Sequence, residues 1–431
     1  MSHQLSLLKD RRFGPLFGTM FLGAFNDNLF KTTFVVLVAY GVWDIGTLKP
    51  EILVALSAAI FILPYVLMAP LGGSLADKFD KAVIMRTLKI AEVLIVAGVI
   101  VGLWLQSLLI LYIVLFAFGA HSALFSPSKF AIVPQQMRRD ELIGANALLN
   151  TGSFVAILAG NVLGSLWGVD TQGHMIAFAV LLICAVAGYG FSLRIPYAAP
   201  PEPGLQLRWN LIADIGSNFK FARQQPPGVM VSLLAIAWFY FVGGTFLAQF
   251  PTYASQSLHV DHFTLSIFMA LFTAGIGLGG MLNNVLLKSK VSARYVPISA
   301  LGIAIFACDM FFATGFFKSG TAVLTFPQFI DSWHAWRVLI DVVMLSVCAG
   351  IYVVPLNAIL QDLTAEKQRA RVMSVSNVLD AVFILVASVL GIALFSAGFH
   401  VEELFLVEGI MTLAVAFYFL KNPRIFGVEH M

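Results

Sequence analysis

Asn26, Asp27, Asn28 and Lys31 crowd into the middle of an otherwise apolar run from Phe13 to Val42. A charge held in hydrocarbon costs at least about 2.5 kcal/mol unless it is paired or hydrated, so such a cluster has to face the protein interior. Asp27 and Lys31 are four residues apart with the acid first, the favourable order for an intrahelical ion pair. Either they neutralise one another and only fix packing, or they offer their charges to something that enters. Further polar groups interrupt other apolar runs: Lys89 with Glu92, Lys129 just after Pro127, Gln249, Asp309, Asn357 with Gln361, and Asn377 with Asp380. Lys89 and Glu92, three apart, fit a structural pair equally well. Arg337 and Asp341 have the spacing of a simple helix-end pair. Both signs of charge are therefore available to a shared cavity. That suits a zwitterionic or amphipathic solute better than a sugar, which would want mainly neutral hydrogen-bonding groups.

The elements that must hold these groups are set by composition. Of the 431 residues 59% are hydrophobic and 11% charged, and the mean hydropathy of +0.89 would leave a water-soluble domain coated in apolar patches. The apolar runs are long enough, as helices, to cross a hydrocarbon core of roughly 30 Å. No strand-length alternation competes with them, so helices rather than a barrel satisfy the backbone. Twelve spans are expected: 13–42, 51–76, 82–105, 108–125, 142–167, 175–195, 229–253, 263–287, 295–317, 336–360, 372–395 and 401–420. Cys184, Cys308 and Cys348 all fall inside spans and read as packing residues without a disulfide framework. Many of the 38 Phe residues face lipid or pack helices, and a minority is available to line an acyl-chain groove.

Net charge is only +3, yet its distribution is lopsided. With the N-terminus in the cytosol, most basic residues, including Lys9, Arg11, Arg12, Arg138, Arg139 and Arg194, fall in loops on that side. Only Lys49, Lys318 and Arg337 remain for the other. The bias predicts that both termini are cytoplasmic. Met1 to Arg12 is polar and is followed by too long an apolar run for a cleavable signal, so the first helix is expected to act as its own insertion signal.

The apolar pattern breaks between Pro196 and Gly228, separating six spans from six. This predicts an N-terminal bundle over 1–196, a cytoplasmic linker over 197–228, and a C-terminal bundle with a short tail over 229–431. Within the linker Trp209, Leu211, Ile212, Ile215 and Phe219 recur at helical spacing, which predicts an amphipathic helix on the membrane surface. Pro127 and Lys129 followed by Gln135 resemble Pro355 and Asn357 followed by Gln361, a weak repeat of the kind expected from two related halves with a substrate between them.

Two formal motifs carry little. Gly275, Gly277 and Gly280 fit a dinucleotide pattern but lie within a span with no strand before them, so they read as close helix packing. His259, Asp261 and His262 lack the further ligands that a metal site needs. With no phosphate-binding loop, nucleophile elbow or nucleic-acid motif, neither catalysis nor ATP hydrolysis is expected, and no cofactor, metal or nucleic-acid partner is implied.

The stretch Gly73-Ser-Leu75-Ala76-Asp77-Lys78-Phe79-Asp80-Lys81 resembles the cytoplasmic-loop signature of the major facilitator superfamily. In physical terms its Gly lets helices approach closely, its Asp can sit against a neighbouring helix N-terminus, and its Lys residues hold the loop in the cytosol. The resemblance implies an all-α integral membrane protein with the major facilitator fold, twelve transmembrane helices in two six-helix bundles. It also implies that Asp77 governs conformational cycling by latching against the start of the eleventh helix. Lys288 to Arg294 stands where a second copy would fall but lacks the Gly and the Asp.

Four further segments are similar to the bacterial lysophospholipid transporter family: Phe21 to Lys31, Phe125 to Ile132, Glu141 to Ala147 and Val353 to Gln361. That resemblance implies a flippase moving lysophosphatidylethanolamine and lysophosphatidylglycerol from the outer to the inner leaflet of the bacterial inner membrane. Membrane lipids would surround it, and a separate acyltransferase or acyl-ligase would act on the flipped lipid. Lys129 and Lys31 would then meet the phosphate, and Asp27 an ammonium or the gating machinery, with Asp380 acting likewise. Asn26, Asn28, Gln249, Asn357, Gln361 and Asn377 would complete the substrate-binding set, and Gly73, Asp77, Lys78 and Lys81 the gating loop. One family feature is missing, a basic residue near Ala248 or Gln249. The alternative reading is a proton-coupled exporter of amphipathic drugs or siderophores, with Asp27 carrying the proton.

Overall fold

The computed structural model describes residues 6–41, 48–138, 141–168, 171–205, 216, 219–287, 291–317, 323–365, 369–422 and 424–426. Twelve long helices account for most of them. They are α1 (Gly14–Ala39), α2 (Pro50–Lys78), α3 (Lys81–Trp104), α4 (Leu108–Gln136), α5 (Leu142–Trp167) and α6 (Thr171–Ser192), then α7 (Pro227–Thr252), α8 (His262–Leu287), α9 (Val296–Thr314), α10 (Trp333–Asp362), α11 (Arg369–Ser396) and α12 (Val401–Lys421). Eleven of them, α2 to α12, are long and apolar enough to cross a membrane. The remaining helix, α1, is of similar length, and its mean hydropathy is lowered by the Asn26 to Lys31 cluster. Among the described residues the only extended pairing is a bridge between Val260 and Leu324. The expected linker helix from Trp209 to Ile215 lies outside the described residues.

Several helices overrun the spans read from hydropathy. The fourth was expected to end at Phe125, but α4 continues through Pro127 and Pro134 to Gln136. Proline is tolerated there because groups in a membrane helix can be re-satisfied by neighbours, so Lys129 sits on a helix rather than in the loop after it. Ends are fixed by local chemistry: the Asp80 carboxylate accepts the Ala82 N–H at 2.9 Å to start α3, and the Ser332 hydroxyl accepts the His334 N–H at 3.3 Å to start α10.

The chain forms two compact units, Met1–Leu37 with Ile60–Ile212, and Val38–Ala59 with Ala213–Met431. In the first, α3 packs on α4 and α6. Glycines of α5 admit α1 so closely that a Cβ at Gly164 would lie 2.8 Å from the Thr32 Cβ, and next to it the Thr32 hydroxyl donates to Asn161 Oδ1 at 2.9 Å. One end of this unit is tied by polar contacts around the segment after α6. Asp80 accepts the Ala198 N–H at 3.0 Å, Arg86 donates to the Ile195 carbonyl at 2.8 Å, and Gln136 donates to the Tyr197 carbonyl at 3.1 Å. Beside it Arg12 bridges Asp10 and Glu141. The Arg12 hydrogen bond holds the Asp10 carboxyl below its ordinary range, while the Arg138 N–H and Arg12 do the same for Glu141.

In the second unit α9 packs on α10 and α12, α8 on α10, and α7 on α10 and α11. The α8–α10 contact depends on glycine: a Cβ at Gly279 would collide with the Val347 carbonyl, whereas one at Gly277 meets nothing within 4 Å. Gly279→Ala is therefore expected to destabilise the protein by about 1–3 kcal/mol through overpacking, and Gly277→Ala to leave stability unchanged. Thermal unfolding midpoints in detergent separate the two, and equal shifts would contradict this packing.

Candidate functional site

The polar groups of the first unit gather into two adjoining clusters. In one, Lys89 and Glu92 of α3 form an ion pair with both side chains 0% exposed. Asn26 of α1 donates to Glu92 Oε1 at 2.8 Å and to the Leu181 carbonyl of α6 at 3.1 Å. His121 Nε2 of α4 lies 3.7 Å from the same carboxylate, and the Phe125 ring sits 5.6 Å from Lys89 Nζ. The structural-pair reading of Lys89 and Glu92 thus holds, and the pair is knitted to three other helices.

In the second cluster the Ser122 hydroxyl of α4 donates to Asp27 Oδ2, while Asp27 Oδ1 is buried without a partner. Lys31 does not bridge to Asp27. Its ammonium donates to Asn28 Oδ1 at 3.2 Å and lies 5.4 Å from the Phe61 ring centroid. Asp27 remains in electrostatic reach of Lys31, Lys89 and Glu92, and Lys129 is in reach of Asp27. Lys129 donates to Ser153 of α5 at 3.1 Å. With Lys89 and Glu92 neutralising one another, Lys31 and Lys129 stand against Asp27 alone, an excess of positive charge that can hold an anionic group. Asn28 turns back to the Ala24 carbonyl at 2.8 Å.

The second unit is built differently. Arg337 of α10 does not pair with Asp341, as their spacing suggested. It donates from Nε to Asp309 of α9 at 2.8 Å, leaving Asp341 Oδ2 buried without a partner. Gln249 of α7 is 2% exposed and Asp380 of α11 is 8% exposed; Gln249 Oε1 and Asp380 Oδ1 have no hydrogen-bond partner. Asn357 donates to the Val353 carbonyl of its own helix at 3.1 Å, and Gln361 and Asn377 are exposed. The residues expected to share one site therefore divide: Asn26, Asp27, Asn28, Lys31 and Lys129 cluster in the first unit, and Gln249 and Asp380 lie in the second.

Of the loop motif, Gly73 makes no close approach; that role belongs to Gly72, where a Cβ would sit 3.1 Å from the Leu124 Cα. The Asp77 carbonyl accepts the Glu202 N–H at 3.0 Å, Lys78 lies over the Phe79 ring at 5.6 Å, and Lys81 is buried. Among the described residues no group of three or more His, Cys, Asp or Glu side chains could hold a metal ion.

Sequence reasoning missed Ser122, His121 and, most notably, Glu408. Glu408 is 0% exposed in the middle of α12, and both its carboxylate oxygens lack a hydrogen-bond partner. Its signal was present, since no cation stands three or four residues away on either side.

The family model for the Major Facilitator Superfamily matches residues 16–331. The chain belongs to that superfamily. With eleven helices among the described residues long and apolar enough to cross a membrane, it is a multi-pass membrane protein of the major facilitator transporters. It is similar to the lysophospholipid transporter LplT of Pectobacterium carotovorum, with 26% identity over 82% of this chain and 79% of the relative. It is similar also to LplT of an Escherichia coli O1:K1 strain, with 28% identity over 79% of this chain and 78% of the relative. Among solved structures it resembles a POT family transporter in complex with 5-aminolevulinic acid, with a TM-score of 0.74 and 13% identity over 96% of both chains. An auto inhibited POT family peptide transporter gives a TM-score of 0.71 and 15% identity over 98% of both chains. At such identities these structures speak for the major facilitator fold alone.

Proposed function

We propose that this major facilitator protein transports lysophospholipids, moving lysophosphatidylethanolamine and lysophosphatidylglycerol from the outer to the inner leaflet of a bacterial inner membrane by alternating access. The observation that carries the reading is the buried lysine cluster of the first unit, where Lys31 and Lys129 stand in reach of Asp27. A phosphodiester needs cationic donors, and a single-chain lipid brings its own apolar surface into a protein already apolar in most of its spans. The similarity to proteins named lysophospholipid transporter LplT supports the same substrate class.

In this reading Lys129 and Lys31 bind phosphate, Asp27 couples the bound headgroup to the cycle, and the Gly73 to Lys81 loop with Asp77 governs interconversion of states. Both termini are cytoplasmic, and a separate acyltransferase or acyl-ligase re-acylates the flipped lipid. Protein-dependent uptake of labelled lysophosphatidylethanolamine into proteoliposomes, above the rate of protein-free vesicles, is the expected result. Uptake at the protein-free rate by folded protein, together with proton-dependent efflux of an amphipathic cation, would replace this reading with the exporter.

A further inference from the structure

The second unit holds a small cavity of about 10 Å³, room for one water-sized group such as an ammonium, walled by α7, α11, α12 and the beginning of α2. Small residues such as Gly244, Ala248 and Ala387 open it, and Thr245, Gln249 and Ser388 are its polar lining. Among the described residues no lysine or arginine lines it. Gln249 presents an unpartnered Oε1 there while 2% exposed.

Behind Thr245 stands Glu408, whose carboxyl interacts with the Thr245 side chain. The Thr245 hydroxyl proton goes to the Phe241 carbonyl at 3.0 Å, so it does not satisfy the acid. The Ser388 hydroxyl likewise donates within its own helix, to Ile384 at 2.9 Å. One helical turn before Ile384 on the same face of α11 lies Asp380, with its own unpartnered Oδ1. Among the described residues in and beside this cavity, Gln249 Oε1, Asp380 Oδ1 and both Glu408 oxygens are left without a partner. An unpaired buried acceptor costs about 1–3 kcal/mol, more when charged, and a donor that supplies several N–H bonds and a positive charge removes that cost at once.

We infer that this cavity is an ammonium subsite, in which Gln249 accepts from a primary ammonium group while Glu408, behind Thr245, supplies the compensating negative charge, and that the two together set headgroup preference. With the lysophospholipid reading, on which the natural ligand rests, the subsite favours lysophosphatidylethanolamine over lysophosphatidylglycerol. Gln249 and Glu408 are then specificity residues: the amide oxygen accepts directly, and the carboxylate supplies the negative charge.

The test measures thermal stabilisation of purified protein in detergent by three probes: lysophosphatidylethanolamine, lysophosphatidylglycerol and dodecylammonium, an alkyl amine without phosphate. Wild-type protein is expected to bind the ethanolamine lipid about tenfold more tightly than the glycerol lipid, and to bind the amine as well. Glu408→Gln should lose about tenfold in affinity for both amines and none for the glycerol lipid. Gln249→Lys, which places a cation in the same cavity, should reverse the preference between the two lipids. Equal wild-type affinity for both lipids, or amine affinity unchanged in both variants, would overturn the subsite. Amine binding sensitive to both substitutions, with no protein-dependent lysolipid uptake, would instead keep the subsite and remove the lysophospholipid assignment.

Discussion

Lys89→Ala is expected to lower the stability of the protein by about 3–5 kcal/mol, the cost of leaving one member of a buried ion pair without its partner. Both side chains of the Lys89–Glu92 pair are fully buried. Once the ammonium is gone, the carboxylate keeps only the Asn26 N–H at 2.8 Å and the His121 ring at 3.7 Å. Neither brings a fixed positive charge. The paired substitution Lys89→Met with Glu92→Met should recover most of the loss, because two apolar side chains of similar length remove both desolvation penalties together. Asn26 would still hold the Leu181 carbonyl at 3.1 Å. Equilibrium unfolding in mixed micelles gives the two values. A loss below about 1 kcal/mol in the single variant, the range of solvent-exposed pairs, would mean that water reaches Glu92.

Transport is expected to respond to a different acid. Asp27→Asn should bring lysolipid uptake close to the protein-free rate while the unfolding midpoint stays near that of the wild type. The asparagine oxygen can still accept the hydrogen bond that Ser122 now gives to Asp27 Oδ2, so the α1–α4 contact survives. What disappears is the negative charge in reach of Lys31, Lys89 and Lys129, and with it the balance that lets the lysines exchange between Asp27 and a bound phosphate. Uptake retained in Asp27→Asn would remove Asp27 from the transport cycle. A collapse in stability would make it a packing residue. The two acids thus divide by geometry: Glu92 is held by a lysine and an amide, whereas Asp27 keeps one oxygen without a partner.

Neighbouring residues show how far the sequence reaches. The i to i+3 and i to i+4 spacings offered three ion pairs, Asp27 with Lys31, Lys89 with Glu92, and Arg337 with Asp341. Only the second forms. Ser122 takes Asp27 and Asp309 takes Arg337, each reaching across from another helix. Helical spacing makes a pair possible, but in a protein interior side-chain direction and the groups that neighbouring helices present decide whether it forms. The same limit hid Glu408. A lone acid is visible in the sequence, whereas the cavity that gives it meaning is walled by four helices drawn from distant stretches of chain.

Glycine spacing behaved in an intermediate way. The run from Gly275 to Gly280 announced a close helix contact, and Gly279 indeed meets α10 at backbone distance. Gly277, on the other face, meets nothing within 4 Å, and only the packing tells them apart. Gly72 and Gly73 repeat the lesson, because one residue of rotation, about a quarter turn of helix, decides which of them touches α4.

By itself, then, the sequence determined the long apolar helices, their break at Pro196 to Gly228, and the superfamily carried by the Gly73 to Lys81 loop. These are local properties: hydropathy and the backbone's need for internal hydrogen bonds in lipid act on each segment separately. The tertiary structure alone decided which acid meets which base, which oxygens stay without a donor, and where small residues leave room for a ligand. Those depend on distances between helices far apart in sequence, and a difference of one hydrogen bond between competing partners is enough to redirect a buried charge.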